Sequence, residues 1–170
     1  MDNTTDPRQE QRVWSRVMAA QTAARERAPT ACTRVMQRDA PVFDAAAVQE
    51  LYTAQCRAAR AYRALAAQAT GCVWQTLCML AEEKSHEARR LAAVYFVMTG
   101  ARPCAAQPET AAHACLRESL RRAYQEELCA AELYRRYAER ADAHACLLAQ
   151  MARRAQCAAA RLLAALESCL

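Results

Sequence analysis

The sequence contains only two glycines, Gly71 and Gly100, in 170 residues. It is also poor in the β-branched and aromatic residues that strands favour, and aromatic side chains make up 6% of the chain. The rest is dominated by runs of alanine, arginine, leucine, glutamate and glutamine, which are strong helix formers. These absences argue against a sheet protein, and the sequence predicts an all-α fold.

Lysine is almost absent, because Lys84 is the only one among 23 basic residues. The formal net charge of +5 and the pI of about 8.8 could suggest a nucleic-acid ligand. However, acidic residues are interleaved with the arginines throughout, and no dense basic run occurs. No apolar run approaches the roughly 20 residues that a membrane-spanning helix requires. We therefore expect neither a nucleic acid nor a membrane as partner.

The ten cysteines include no C-x-x-C pair. Small secreted proteins use many cysteines as a disulfide framework in a loop-rich chain, whereas these are scattered through helix-forming sequence. Scattered helical cysteines commonly act as small buried hydrophobic residues. We expect a cytoplasmic protein whose thiols are reduced.

Proline, glycine and capping residues divide the chain into two predicted domains, an N-terminal helical extension with its connector at residues 1–43 and a four-helix bundle at residues 44–170. A long connector containing Pro103 and Pro108 is the expected crossover between two helical hairpins. Asp44 is a predicted N-cap. The predicted helices are one from Gln9 to about Arg25 in the extension, then helix A from Asp44 to Gln68, helix B between Gly71 and Gly100, helix C from Glu109 to Arg140, and helix D from the break at Ala141 and Asp142 to Ser168.

The two predicted hairpins resemble each other in sequence. A shift of 72 residues places Gln55 on Glu127 and Tyr62 on Tyr134. A shift of 71 residues aligns helix B with helix D, which one residue lost in the turn explains. The aligned pairs are Leu77 with Leu148, Ala81 with Ala152, Glu83 with Arg154, His86 with Cys157, and Leu91 with Leu162. The bundle is therefore predicted to contain two copies of one hairpin.

Glu83 and His86 carry the clearest chemical signal, because residues three apart project from one helix face about 60° apart. Four-helix bundles use Glu-x-x-His in this way to bind iron or manganese. Together with Glu127, seven residues before Tyr134, this pattern resembles the rubrerythrin-type members of the ferritin-like superfamily over residues 44–168. The resemblance implies an antiparallel bundle in which a glutamate seven residues before a tyrosine on helices A and C, and a Glu-x-x-His on helices B and D, surround two metal ions.

Half of that pattern is missing. Helix A has Gln55 where the family has its glutamate, and helix D has Arg154 and Cys157 where it has glutamate and histidine. Glutamine keeps an oxygen but loses the charge, and an arginine projecting into the same space would repel metal while pairing with Glu83 or Glu127. We therefore expect a vestigial site that holds no cofactor and is filled by an Arg/Glu ion-pair network.

The resulting functional prediction is a non-enzymatic scaffold or interaction protein. The sequence has no glycine-rich phosphate loop, no nucleophile elbow and no rubredoxin-like C-x-x-C iron site. Tyr62 and Tyr134 are predicted core aromatics whose hydroxyls bond an opposing carboxylate. By analogy with other bundles of this size we expect a homodimer.

Two other interpretations of the same residues remain open. Glu83, His86 and Glu127, assisted by Cys157, could hold one iron or zinc ion if Arg154 turned towards the bundle surface. The chain would then be a residual mononuclear metal-binding or peroxide-reactive protein. Alternatively, Cys157 is a peroxide-sensitive thiol beside the cation of Arg154. Metal content separates the first of these from the metal-free scaffold.

Overall fold

The structure is a computed structural model that describes residues 42–105 and 115–168. The chain divides into two units, residues 1–39 and residues 40–170, and all described residues belong to the second unit. The predicted domain boundary lies between residues 43 and 44. The predicted helix from Gln9 to Arg25 lies outside the described residues.

Four long helices make up the described part of the chain, which contains no strand and therefore confirms the all-α prediction. In chain order the helices are α1 (Ala45–Ala66), α2 (Gly71–Thr99), α3 (Leu116–Ala138) and α4 (Ala145–Glu167), with a short 3-10 turn at Asp142–His144 before α4. None of these helices is long and apolar enough to cross a membrane.

Local sequence accounts for two of the helix ends, the start of α1 and the end of α2. The Asp44 carboxylate accepts a hydrogen bond from the backbone N–H of Ala47 at 2.8 Å, which confirms the predicted N-cap of α1. Gly100 ends α2 in the left-handed conformation, with φ 71°, a position that favours glycine. The start of helix C was predicted too early, because Cys115 is extended and α3 begins at Leu116. Of that predicted start, residues 109–114 lie outside the described residues.

The helix directions follow from the packing. α1 and α2 form one hairpin, α3 and α4 form a second, and α2 packs against α4. Gln55 of α1 bonds to Tyr134 late in α3, whereas Tyr62, farther along α1, bonds to Glu127 earlier in α3, so these two helices are antiparallel. Consequently α2 and α3 run parallel, so α2 ends and α3 begins at opposite ends of the bundle.

The core consists of two apolar clusters, one towards each end of the bundle. Every helix contributes to both, because apolar residues recur at intervals of three and four along each of them. Their fully buried large members are Val48, Leu91, Tyr134, Leu148 and Met151 in one cluster, and Leu77, Leu80, Leu120 and Leu162 in the other. Between the two clusters the four helices bury a polar layer.

The cysteines differ from expectation. Seven of those in the described residues are free thiols, of which five are exposed and two are half-buried. Cys129 is disulfide-bonded, so the prediction that all thiols are reduced is wrong for this cysteine. The prediction that helical cysteines act as buried hydrophobic residues is therefore wrong for the five exposed thiols, whereas Cys78 packs against one of the apolar clusters. Alanine and leucine occupy most of the core positions.

Candidate functional site

The polar layer between the apolar clusters contains six side chains, and we call them the interior polar cluster. Four are polar or charged residues with 1% to 4% of their surface exposed, and two are tyrosines with 1% and 3% exposed. Buried polar groups persist only where they are paired, so this layer is the most constrained part of the interior. Its members are Gln55 and Tyr62 on α1, Lys84 and Glu87 on α2, and Glu127 and Tyr134 on α3.

Lys84 is the centre of the cluster. Its ammonium Nζ lies 2.7 Å from Oε2 of Glu127 and 3.5 Å from Oε2 of Glu87. The lysine is 2% exposed, so its charge is compensated by these carboxylates rather than by water. One ammonium therefore joins α2 to α3 and stands between two glutamates.

The two tyrosines complete the cluster by pairing α1 with α3. The hydroxyl of Tyr62 donates to Oε1 of Glu127 at 2.6 Å. In the corresponding bond of the repeat, the side-chain amide of Gln55 donates to the Tyr134 hydroxyl. The 72-residue shift exchanges these two bonds, because it maps Gln55 onto Glu127 and Tyr62 onto Tyr134. The internal repeat of the sequence is thus also a repeat of hydrogen-bond geometry.

Burial raises the pKa values of three groups in this layer. Desolvation, reinforced by the negative charge of Glu127, raises the pKa of Tyr62 far above its ordinary value. Desolvation likewise raises the pKa of Tyr134, with the Glu87 charge adding to the effect. Desolvation also raises the pKa of Glu87, because Lys84 offsets only part of the cost of burying that carboxylate. Both tyrosines therefore stay neutral at any ordinary pH, with Tyr62 donating to Glu127 and Tyr134 accepting from Gln55.

One polar atom of the cluster has no partner. Oε1 of Gln55 is buried and forms no hydrogen bond within the part of the chain that the structure describes. Glu127, its equivalent in the second hairpin, has both carboxylate oxygens bonded. The polar layer is therefore fully satisfied on the Glu127 side and incompletely satisfied on the Gln55 side.

The structure places Glu83 and His86 away from this cluster. Glu83 is half-buried at the surface, where its two carboxylate oxygens accept from Arg161 at 2.9 and 2.5 Å. His86 is exposed. The expected grouping of these two residues with Glu127 does not form, because the inward positions of α2 are each one residue later, at Lys84 and Glu87.

Arg154 and Cys157 also differ from the expected placement. Both are exposed residues of α4, so they do not fill the interior as the sequence analysis proposed. The inward positions of that helix are Ala155 and Ala158, with 0% and 1% of their surface exposed. Gln55, Tyr62 and Tyr134 do lie in the interior with Glu127, as expected. An Arg/Glu network was the wrong composition for the layer, since lysine supplies its cation.

Lys84 and Glu87 are the functional candidates that sequence reasoning missed, although the signal was present. The large buried side chains of α2 include Leu77, Leu80 and Leu91. From Leu80, steps of four, three and four residues lead through positions 84 and 87 to Leu91, as a helical period requires. That period therefore selects positions 84 and 87 for the buried face, not positions 83 and 86. Glu83 and His86, which form the apparent metal-binding motif, each lie one residue before a position of this buried face.

Instead, the motif residues line an open groove of about 480 Å³ between α2 and α4. Its walls carry charged side chains from both helices, and an exposed thiol lies among them. The lining residues are Glu82, Glu83, His86 and Arg89 from α2, and Arg154, Cys157 and Arg161 from α4. The groove and the interior polar cluster are two separate candidate sites.

No group of three or more His, Cys, Asp and Glu side chains within the described residues is arranged to hold a metal ion. The interior polar cluster offers two carboxylates, but an ammonium lies against both. Comparisons of the chain with family models, with curated proteins and with solved structures give no match.

Proposed function

We propose that this chain is a ferritin-like four-helix bundle related to the rubrerythrins, whose metal-binding interior has been replaced by an ion-paired cluster centred on Lys84. Two features support the relationship. The helix directions require a connector between opposite ends of the bundle, as a ferritin-like crossover does. The two hairpins also repeat one another in sequence and in the bonds of Tyr62 and Tyr134. A cytoplasmic homodimer acting as a scaffold or interaction protein is the role that we propose.

The observation that carries this proposal is the position of the Lys84 ammonium. Carboxylate-bridged metal sites use several glutamates to offset the charge of divalent cations. Here the ammonium lies 2.7 Å from Glu127 and 3.5 Å from Glu87 and supplies a positive charge of its own. A metal is not needed to compensate these carboxylates.

The interior also fits a di-iron centre poorly. Ala155 and Ala158 present no ligand atoms at the inward positions of α4, and Gln55 presents a neutral amide on α1. A divalent ion at Glu127 would have to displace Lys84, whose charge would repel it. These features favour a structural role for the cluster.

The alternative of one iron or zinc ion on Glu83, His86 and Glu127 gains no support from the geometry. Glu83 is held by Arg161 at the surface, whereas Glu127 is 4% exposed and bonded to Tyr62 and Lys84. These three candidate ligands do not converge on one point. We accordingly put forward no second function.

Metal analysis of matched variants tests the proposal. The wild-type chain, Gln55→Glu, and Gln55→Glu with Lys84→Ala are each loaded with ferrous iron without oxygen, freed of unbound metal, and analysed for metal content. We expect the wild type and the single variant to retain almost none, because Lys84 is present in both. The double variant combines three interior carboxylates with no ammonium, so we expect it to retain iron.

Two results would contradict the proposal. Stoichiometric metal in the wild type would show that Lys84 does not replace it, and its loss in His86→Ala would restore the mononuclear site. A double variant that is folded, as judged by its helical circular dichroism, but remains metal-free would show that the cluster does not occupy an ancestral metal position. The expected mass of the native particle in solution is twice the 18.9 kDa of the chain.

A further inference from the structure

The groove between α2 and α4 has an excess of positive charge. Three arginines line it against two glutamates. Arg161 is committed to Glu83 through a bidentate pair at 2.9 and 2.5 Å. Arg89 and Arg154 are exposed and have neither a hydrogen bond nor an ion pair within residues 42–105 and 115–168. The groove thus presents two guanidinium groups from opposite walls that no carboxylate of the described residues contacts directly, although the charge of Arg154 also acts on the buried Glu87 carboxylate.

Helix geometry explains why these groups share one groove. Arg154, Cys157 and Arg161 follow one another at steps of three and four residues, which places them along one face of α4. His86 and Arg89 are three residues apart on α2. Since the two helices pack against each other, their stripes face across the groove.

We propose that this groove binds a small phosphorylated molecule, with Arg89 and Arg154 as the phosphate ligands and His86 as a further hydrogen-bond donor. A guanidinium group presents a planar pair of N–H donors that matches two phosphate oxygens. Because the two arginines come from different helices, they can contact different oxygens of one phosphate group.

The size of the groove indicates that the ligand has an organic part in addition to its phosphate group. Its volume of about 480 Å³ lies within the range of roughly 300–1,000 Å³ typical of small-molecule sites, and it exceeds what a bare phosphate fills. The Glu82 carboxylate and the committed Arg161–Glu83 pair leave polar contacts for the organic part of the ligand. Those same carboxylates disfavour a polyanionic nucleic acid, because its successive phosphates would meet them.

Cys157 provides a reporter for occupancy of the groove. Its thiol is exposed among the lining residues, while Cys146 is exposed on the same helix outside the groove. The full-length chain is alkylated with iodoacetamide at fixed ionic strength, with increasing inorganic pyrophosphate as the probe. Mass spectrometry of the two peptides then gives the alkylation rate at each cysteine.

We expect pyrophosphate to slow alkylation of Cys157 in a saturable way and to leave Cys146 unchanged. Arg89→Gln and Arg154→Gln should each raise the half-protecting concentration about tenfold or more, since a hydrogen bond to a charged group contributes roughly 1.5–3 kcal/mol. Arg153→Gln is the matched control, because Arg153 is an exposed neighbour that does not line the groove. It should leave the protection unchanged.

Three results would overturn this proposal. One is the absence of protection at millimolar pyrophosphate. Another is an equal weakening in the Arg153→Gln and Arg154→Gln variants, which would indicate general ionic screening. The third is equal or stronger protection by succinate at the same ionic strength, which would assign the groove to carboxylates. Arg89, Arg153 and Arg154 are all exposed, so circular dichroism should show that each variant keeps its fold.

Discussion

Replacing Lys84 by methionine should destabilise the bundle more than any single change at its surface. The substitution keeps an unbranched side chain of similar length but removes the cation that contacts both Glu127 and Glu87. At an effective dielectric constant of about 20, an ion pair at 2.7 Å contributes about 6 kcal/mol before its desolvation is subtracted. Measured costs of breaking a buried pair from one side are about 3–5 kcal/mol.

The free energy of protonating a stranded carboxylate gives an independent estimate of the cost of removing Lys84. A carboxylate that loses its cation in the interior can take up a proton instead. Protonating a glutamate with the ordinary pKa of about 4.3 at pH 7 costs about 3.7 kcal/mol. Both arguments therefore give a loss of about 3–5 kcal/mol at pH 7 for Lys84→Met.

Protonation of a stranded carboxylate also makes the stability of the Lys84→Met variant depend on pH. In the variant, the native state binds a proton that the unfolded chain does not bind between pH 5 and pH 7. A carboxyl pKa that is raised by folding gives stability that is present at low pH and lost as pH rises through the folded value. The deficit of Lys84→Met relative to the wild type should therefore shrink by about 2.7 kcal/mol between pH 7 and pH 5 for one extra proton.

Urea unfolding followed by circular dichroism at pH 7 and pH 5 measures both quantities. Lys84→Met with Glu127→Gln should recover part of the loss, because the stranded charge at Glu127 is gone while Glu87 still lacks the ammonium. Arg135→Met is the surface control, since Arg135 pairs with Glu132 and Glu139 at an exposed site and should matter little. A Lys84→Met variant within about 1 kcal/mol of the wild type, with parallel pH dependence, would refute the role assigned to this lysine.

The other predictions concern the neighbours of Lys84. Glu87→Gln should be neutral or stabilising at pH 7.5 and should lose that advantage by pH 4. Burial raises the pKa of Glu87, so this carboxyl makes the wild type less stable as pH rises. Urea unfolding at both pH values measures the difference in stability. Tyr62→Phe should cost about 1.5–3 kcal/mol and Tyr134→Phe about 1 kcal/mol, since only the first removes a bond to a carboxylate, at Glu127. Equal losses in thermal or urea unfolding would argue against a charged Glu127. Lys84→Arg should cost about 1–3 kcal/mol despite keeping the charge, because the larger guanidinium overpacks a site with 2% exposure; unchanged stability in the same assay would indicate spare room there.

Helix content and helix ends were predictable because they depend on local chemistry. Asp44 caps α1 through its own side chain, and Gly100 ends α2 because it adopts a positive φ at low cost. The burial of Tyr62 and Tyr134 was also predicted, and Tyr62 has the expected carboxylate partner at Glu127, but Tyr134 bonds to the amide of Gln55 instead of a carboxylate. The start of α3 was less predictable, since the sequence before Leu116 is rich in helix formers and carries no strong stop.

The identity of the buried cation was not predicted, because the Glu-x-x-His motif and the helix period select different positions of α2 and the prediction followed the motif. Glu83 and His86 have the spacing of metal ligands, but spacing within a motif does not fix which face of the helix it occupies. That face is fixed by the large apolar side chains, and Leu77, Leu80 and Leu91 are all fully buried. Their register turns Lys84 inward and leaves His86 in solvent.

The composition of the chain adds an argument for Lys84. Arginine replaces lysine at every other basic position of the 170-residue sequence, yet the one lysine is the cation buried between two glutamates. An ammonium is a compact charge on a flexible stem, whereas a guanidinium is planar and needs more room and more acceptors. The interior polar cluster lies between two packed apolar layers, and Lys84 is 2% exposed, so little room remains for a larger group. A compact ammonium therefore fits this position better than a guanidinium would.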